Sequence, residues 1–220
     1  MMQAFAKILP DIAAAFGDTF LMVSLSTLFA ILGGIPLGLT LYMTSQQDFK
    51  RRPVFYWFAG LIANIIRSLP FVILLAALLP FTALVTGTTI GPLAATVPLT
   101  IAAIPFYARL VEAALKEIPR GVIEAAIAAG ATKRQIVFKV LLVESRPGLV
   151  RALTVTVISL LGFSAMAGIV GGGGIGDLAI RYGYYRFDDA VMYTTTAFLI
   201  LLVQLIQSAG NFIARRIDKR

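Results

Sequence analysis

Long apolar stretches separated by short polar turns dominate the pattern of the chain. Five stretches have the length of about 17–25 residues with which a helix crosses the bilayer core: residues 20–43, 68–85, 92–108, 149–170 and 190–212. The pattern therefore predicts an all-α integral membrane protein with five transmembrane helices. Around this domain, residues 17–212, lie a predicted N-terminal outer segment, residues 1–16, and a basic tail, residues 213–220. We expect Asp18 to be the N-cap of the first span.

The second span needs a choice of boundary. Residues 54–85 are too many for one span and too few for two spans with a turn. The sequence Arg67-Ser68-Leu69-Pro70 divides them. Because a lone arginine at the bilayer centre costs at least ~2.5 kcal/mol, we expect Arg67 near an interface or facing a polar cavity. Residues 54–66 are therefore predicted as a helical approach near the cytoplasmic surface, and residues 68–85 as the span.

The composition is that of a protein embedded in lipid. Of the 220 residues, 59% are hydrophobic and 14% are charged, whereas a soluble domain carries about 25% charged residues. Mean hydropathy is +0.88. The chain has no cysteine and no histidine, which excludes disulfides, thiol catalysis, imidazole chemistry and nearly every zinc or haem site. We therefore expect no catalytic residue, no metal site and no cofactor in this chain.

Lysines and arginines are distributed unequally between the two predicted sides of the membrane. Of the 19, 13 fall in the turn at 45–53, the loop at 111–148 and the tail, and three fall on the opposite side. Cytoplasmic loops carry the excess of basic residues. We therefore expect the N-terminus outside and the C-terminus inside. The same rule accounts for the net charge of +8 without a nucleic-acid partner.

The cytoplasmic loop at residues 120–148 is the most polar interruption of the chain. Thr132 and Gln135 have the spacing of a capping box, which predicts a helix from Lys133. Its apolar positions form one stripe: Ile136, Val137, Val140 and Leu141. Lys133 and Arg134 occupy the first turn, where the helix dipole disfavours cations. Their position indicates a partner protein or anionic membrane lipid close to this turn.

The same loop carries a motif upstream of the capping box. Glu124-Ala125-Ala126 is followed by Gly130, and the spacing resembles the signature E-A-A-x3-G-x9-I-x-L-P of ABC-importer permeases. Val143 replaces the proline of that signature. The resemblance implies short coupling helices that dock into a cleft of a cytoplasmic ATPase. The residues that it assigns to coupling are Glu124, Ala125, Ala126, Gly130, Ala131 and Thr132. The alternative is a plain amphipathic helix at the membrane surface.

Further motifs extend the resemblance over about residues 17–212. They are residues 64–71 (NIIRSLPF), 87–91 (GTTIG), 97–100 (VPLT), 105–109 (PFYAR), 130–132 (GAT), 164–168 (SAMAG), 171–178 (GGGGIGDL) and 181–184 (RYGY). Together they resemble the methionine-import permeases. The resemblance implies a homodimer in the bacterial cytoplasmic (inner) membrane, carried by two copies of an ATPase that binds the ATP. It also implies a substrate-binding protein outside and methionine, including the D-isomer, as cargo. Another amino acid or small solute is the alternative.

Three residues are candidates for the gate or the translocation pathway. Met166 lies among small residues, where a bulky side chain could close a pore at a twofold axis, although core packing explains it equally well. Ser164 and Gly168 have the spacing that favours close helix contact. Arg67 could line the route or extend to the interface. The glycines at 171–176 lack the Lys-Ser/Thr of a phosphate-binding loop. We expect a flexible backbone beside a gate or a binding-protein contact, and a simple turn is the alternative.

Two other functions remain open. A secondary transporter or channel working alone usually carries acidic residues or histidine in its spans, and the predicted spans have neither. A structural membrane anchor would have little use for kinked, glycine-rich helices. No nucleotide-binding motif occurs in the chain, so a partner would have to supply energy for transport.

Overall fold

The computed structural model describes residues 2–46 and 53–218, and these residues are helical with no strand. The helices are α1 (Met2–Ser45), α2 (Pro53–Ser68), α3 (Phe71–Ala77), α4 (Leu79–Thr86), α5 (Pro92–Lys116), α6 (Arg120–Ala128), α7 (Lys133–Gln135), α8 (Leu142–Glu144), α9 (Arg146–Ile169), α10 (Gly174–Leu178) and α11 (Asp189–Ile217). Two wider, π-helical segments, Ile136–Leu141 and Ala179–Tyr184, join α7 to α8 and follow α10. The predicted all-α class is confirmed.

Four helices among the described residues are long and apolar enough to cross a membrane: Pro10–Ser45 of α1, α5, α9 and α11. A fifth span results if the bent pair Tyr56–Ser68 and Phe71–Ala77 is counted as one. The structure thus contains four to five candidate membrane helices. The sides of the membrane on which the termini lie stay a prediction.

The first helix is longer than the predicted span. It runs unbroken from Met2 through Asp18 to Ser45, so the prediction that Asp18 is an N-cap is wrong. Residues 2–17 contain mostly alanine and other good helix formers, and their one proline lies a full turn or more from Asp18. Asp18 instead lies beside the later glycine segment. A Cβ on Gly173 would lie 2.9 Å from Oδ2 of Asp18.

The division of the second apolar stretch at Arg67–Pro70 is confirmed. Helix α2 ends at Ser68, α3 begins after Pro70, and the two helix axes differ by 104°. Proline fixes its own φ and restricts Leu69 to extended conformations, which ends the helix. Where one span was predicted over residues 68–85, the chain forms the two short helices α3 and α4. Pro80 in the first turn of α4 explains this second break.

Helices α1 and α5 form the centre of the fold. The side of α1 that carries Gly34 and Gly38 lies against α5, and a Cβ on Gly38 would come within 2.6 Å of the Ala108 carbonyl oxygen. Such close approach of backbones is the usual way in which membrane helices pack. Helix α5 is the more enclosed, with Leu99, Val111 and Leu115 fully buried. The loop after α5 therefore starts from a closely packed pair of helices.

The glycine segment after α9 is a tightly packed joint. Gly171, Gly173 and Gly174 have positive φ values of 89°, 76° and 87°, which only glycine adopts without strain. Gly174 is buried, and the next backbone N–H, of Ile175, donates to Thr19 Oγ1 over 2.9 Å. The segment turns the chain so that α10 packs back on α9. The segment forms a turn, and its role beside a gate or a binding-protein contact stays a prediction.

Candidate functional site

The loop between α5 and α9 consists of short helices held against the membrane domain by a few apolar side chains. Helix α6 begins after Pro119, and of its residues only Ile123 is buried. In the following segment Ile136, Val137 and Leu141 are buried, as the predicted stripe requires. Glu124 and Ala125 are exposed and Ala126 is half-buried. One side of the loop therefore packs against the membrane domain, and the other side is exposed.

The spacing of the E-A-A–G motif has a direct structural cause. Gly130 adopts φ +79° and ends α6 in a Schellman motif: its N–H donates to the Ile127 carbonyl over 2.9 Å, and the Ala131 N–H donates to the Ala126 carbonyl over 3.0 Å. Ala126 and Ala131, whose main-chain groups form the second of these hydrogen bonds, both pack against the core. The glycine must therefore stand four residues after Ala126 for the turn to close.

The second helix begins at the predicted residue. The Thr132 Oγ1 accepts the Gln135 N–H over 3.3 Å, and the Gln135 Oε1 accepts the Thr132 N–H over 2.8 Å, so both halves of the capping box are present. Glycine termination and the capping box follow one another directly. Together they fix the bend between α6 and α7 through local hydrogen bonds.

Val143 stands where the signature has proline, and only one residue, in αR conformation, separates the second helix from the membrane span. The helical path from Lys133 ends with α8 at Glu144, and Ser145 joins it to α9. The Ser145 N–H donates to the Leu141 carbonyl over 3.0 Å. Pro147, in the first turn of α9, sets the start of the next helix. The Leu149 N–H donates to the Ser145 carbonyl over 2.8 Å, so helical hydrogen bonds continue through this junction.

The loop exposes large apolar side chains that sequence reasoning missed. Ile127 on α6 is 45% exposed and Phe138 on the π-helical segment is 59% exposed. They lie on a loop that also exposes Glu124, Lys133 and Lys139. Phe138 follows two buried residues, and its place off the apolar stripe was the signal that could have identified it. Exposed apolar side chains with charged neighbours suit docking to another protein.

The gate candidates lie on different faces. Ser164 is buried and its Oγ donates to the Leu161 carbonyl over 2.8 Å, so its hydroxyl is satisfied within its own helix. Met166, two positions further on, is 41% exposed, since residues two apart face nearly opposite sides of a helix. Arg67 is exposed, with its guanidinium carbon 5.8 Å from the centre of the Phe106 ring. Of the three, Met166 and Arg67 are open to a partner or a pathway.

A buried charge cluster near the end of α5 was not foreseen. The Glu112 side chain is 4% exposed and forms 2.7 Å ion pairs with Arg109 and Lys116. It also accepts a hydrogen bond from the Tyr56 hydroxyl over 3.0 Å, while Arg109 donates to the Gly60 carbonyl of α2 over 3.1 Å. The spacing of the three charged residues on one helix was the available signal. The cluster links α2 to α5.

Glu112 bears on the argument that the predicted spans contain no acidic residue. The third span was predicted to end at residue 108, whereas α5 continues to Lys116 and includes this glutamate. A span-located carboxylate is a feature of ion-coupled transporters. Here, however, two cations and a hydroxyl already satisfy it. Its bonds are those of a structural link between helices.

Substituting Glu112 by alanine is expected to destabilise the protein by about 3 kcal/mol, because it leaves the partly buried Arg109 without its partner. Thermal unfolding of the purified protein in detergent measures the change. Glu117→Ala is the matched control, since Glu117 is exposed and just beyond the end of the same helix, and it should change stability by less than about 0.5 kcal/mol. Equal unfolding temperatures for the two variants would show that the cluster does not stabilise the fold.

Comparison with known proteins identifies the class. Residues 34–220 match the family described as "Binding-protein-dependent transport system inner membrane component". Because this match covers most of the chain, the protein belongs to that family of transport components. Its members are permeases of the inner membrane and not enzymes.

Individual relatives narrow the class. The chain is 47% identical over 218 residues to the probable D-methionine transport system permease protein MetI of Vibrio cholerae, across 99% of this chain and 97% of that protein. It is 44% identical over 180 residues to the methionine import system permease protein MetP of Bacillus subtilis, across 82% and 81%. An inward-facing crystal structure of the MetNI methionine ABC transporter, CY5 native crystal form, matches with TM-score 0.92 and 47% identity over 94% of this chain and 96% of that chain. The resemblance to methionine-import permeases is confirmed.

Proposed function

We propose that this chain is the membrane-spanning permease subunit of an ATP-driven importer of methionine, in the L and D forms. The observation that supports it most directly is the loop from α6 to α8. It carries the E-A-A–G residues on a bend fixed by a Schellman motif and a capping box. The similarity to methionine permeases of two organisms supports the cargo.

The working assembly contains two copies of this chain and two copies of a cytoplasmic ABC ATPase. The similarity to a chain of the inward-facing MetNI methionine ABC transporter supports such an assembly. The N-terminus lies outside and the C-terminus inside, as the distribution of basic residues favours. In this orientation the exposed Ile127 and Phe138 face the ATPase. An extracytoplasmic substrate-binding protein delivers the cargo from the other side.

Coupling follows from the rigidity of the loop. ATP binds to the partner, and closure of the ATPase moves the docked helices α6 and α7. The bend at Gly130 is held by backbone hydrogen bonds, and Ile123 and Leu141 are buried against the membrane domain. A displacement of the loop is therefore passed to α5 and α9, between which it lies in sequence. Five further residues of the loop take part in the proposed coupling: Glu124, Ala125, Ala126, Ala131 and Thr132. They provide its exposed surface and the hydrogen bonds that end α6 and begin α7.

The proposed gate includes Met166, whose exposed side chain on α9 would meet its counterpart across the twofold axis of the dimer. Ser164 supports the packing of this helix through its buried position. Arg67, at the bend between α2 and α3, lies at the end of the route. A cargo other than methionine is the second candidate, because recognition can reside in the separate binding protein.

Uptake by reconstituted vesicles tests the proposal. Permease and ATPase are reconstituted together with the binding protein outside and ATP inside, and uptake of labelled L- and D-methionine is compared with that of leucine and histidine. We expect uptake of methionine only when ATP and the ATPase are both present. ADP in place of ATP is the control. Uptake by this chain alone would contradict the proposal in favour of a stand-alone transporter, and ATP-dependent uptake of another amino acid would change the cargo only.

A further inference from the structure

A cavity of about 380 Å³ lies where α9 begins and α11 ends. Both helices are candidate membrane spans, starting at Arg146 and finishing at Ile217 respectively. The ends of spans lie at the level of the lipid headgroups. The cavity is therefore at the depth where phospholipid phosphates occur, whichever side of the membrane it faces.

Two arginines line this cavity. Arg146 and Arg216 are both exposed at its wall, and neither forms an ion pair among residues 2–46 and 53–218. The Glu144 carboxylate lines the same cavity but pairs with neither of them within that part of the chain. The planar guanidinium group matches the oxygen atoms of a phosphate, to which it can donate two hydrogen bonds.

A buried hydroxyl lies close to this cavity but does not line it. Ser145 is 3% exposed, and its Oγ has no hydrogen-bond partner within the described chain. It lines a smaller cavity of about 30 Å³ that shares Glu144, Pro147 and Asp218 with the larger one. That smaller cavity has room for about one water molecule and also borders Glu117, so the Ser145 hydroxyl is not part of the larger site.

The remaining walls set the charge and the polarity of the site. Asp218 is paired with Arg151 over 3.0 Å, and this bond holds the end of α11 beside the start of α9. The pair cancels in charge, which leaves two arginines against one glutamate. Val143 and Ile217 add apolar surface. Apolar walls suit the glycerol and acyl part of a lipid and are of no use to a free phosphate ion.

We propose that this cavity binds a phospholipid of the surrounding membrane, with the phosphodiester held by the guanidinium groups of Arg146 and Arg216. The lipid would fill the space between the ends of the two helices. The proposal requires only that α9 and α11 cross the membrane. It does not depend on the cargo or on the action of an ATPase.

Native mass spectrometry of the full permease purified with its ATPase tests the site. Phosphatidylglycerol is added in steps, and the retained lipid is counted for the wild type and for Arg146→Gln/Arg216→Gln. We expect lipid binding to weaken about fivefold for each arginine removed. Arg216→Lys keeps the charge without the planar fork and should give an intermediate loss. Arg215→Gln is the matched control, because Arg215 is exposed next to Arg216 but does not line the cavity.

Three outcomes would overturn the proposal. One is equal lipid retention by the double variant and the wild type, with Arg216→Lys also unchanged. Another is retention of inorganic phosphate, added in place of lipid, with the same dependence on the arginines and no lipid bound. The third is loss of the ATPase from the double variant with lipid retention unchanged, which would make this surface a protein contact. Lipid loss confined to the cavity variants, with the ATPase retained, supports the site.

Discussion

Substituting Gly130 by aspartate is expected to abolish stable docking of the ATPase while the protein still inserts and folds. Residue 130 has φ +79°, so any side chain strains the turn by about 1 kcal/mol. No heavy atom lies within 4 Å of its Cβ position, which means that the variant meets no steric obstacle inside this chain. The new carboxylate would instead enter the proposed interface and lose its water there, which is far more costly.

The measurement is the amount of ATPase that co-purifies with the permease in detergent. We expect a fall of at least tenfold, which corresponds to about 1.4 kcal/mol. Gly121→Asp is the matched control, because Gly121 is exposed, has open space around its Cβ position and lies in the first turn of α6. Negative charge is favourable there. Retention of the ATPase by the Gly130 variant would show that the bend is not the docking element.

Substituting Gly176 by alanine is expected to prevent correct folding. A Cβ on Gly176 would overlap the Cα of Ala165 and come within 2.6 Å of its carbonyl oxygen. Both are backbone atoms of α9, so the clash cannot be relieved by turning a side chain. Helix α10 would have to separate from α9. Thr19, which accepts a hydrogen bond from Ile175 at the same joint, would lose its partner.

Yield and monodispersity after extraction from the membrane measure this effect. We expect the Gly176→Ala protein to be aggregated or destabilised by more than about 3 kcal/mol, as in severe overpacking. Gly162→Ala provides the control, since Gly162 lies in α9 with nothing within 4 Å of its Cβ position. That variant should be slightly more stable, because alanine is the better helix former. Similar yields from both variants would mean that α10 is not packed as described.

Local signals predicted much of the candidate site. The capping box at Thr132 indicated the first residue of α7, and the four-residue step from Ala126 to Gly130 proved to be the geometry of a helix C-terminus. Pro70 likewise located the break after α2. In each case a few neighbouring residues determine the backbone through their own hydrogen bonds or their own restricted φ, so the sequence contains all that is needed.

Features that depend on distant residues were missed. The position of Asp18 beside a glycine segment more than 150 residues later depends on how α1 packs against that segment. The burial of Glu112 depends on Tyr56 of another helix. Exposure of Phe138 likewise follows from which side of the loop meets the membrane domain. Helical periodicity shows that a face exists, but it does not show what covers that face.

Labelling of a single cysteine at position 138 tests the central claim most directly. The chain contains no cysteine, so Phe138→Cys introduces the only thiol of the permease. A membrane-impermeant maleimide is added to sealed membrane vesicles of either orientation, with and without the ATPase bound. The account predicts labelling only from the cytoplasmic side and protection of the thiol by the bound ATPase. Labelling from the outer side, or labelling that the ATPase leaves unchanged, would contradict it.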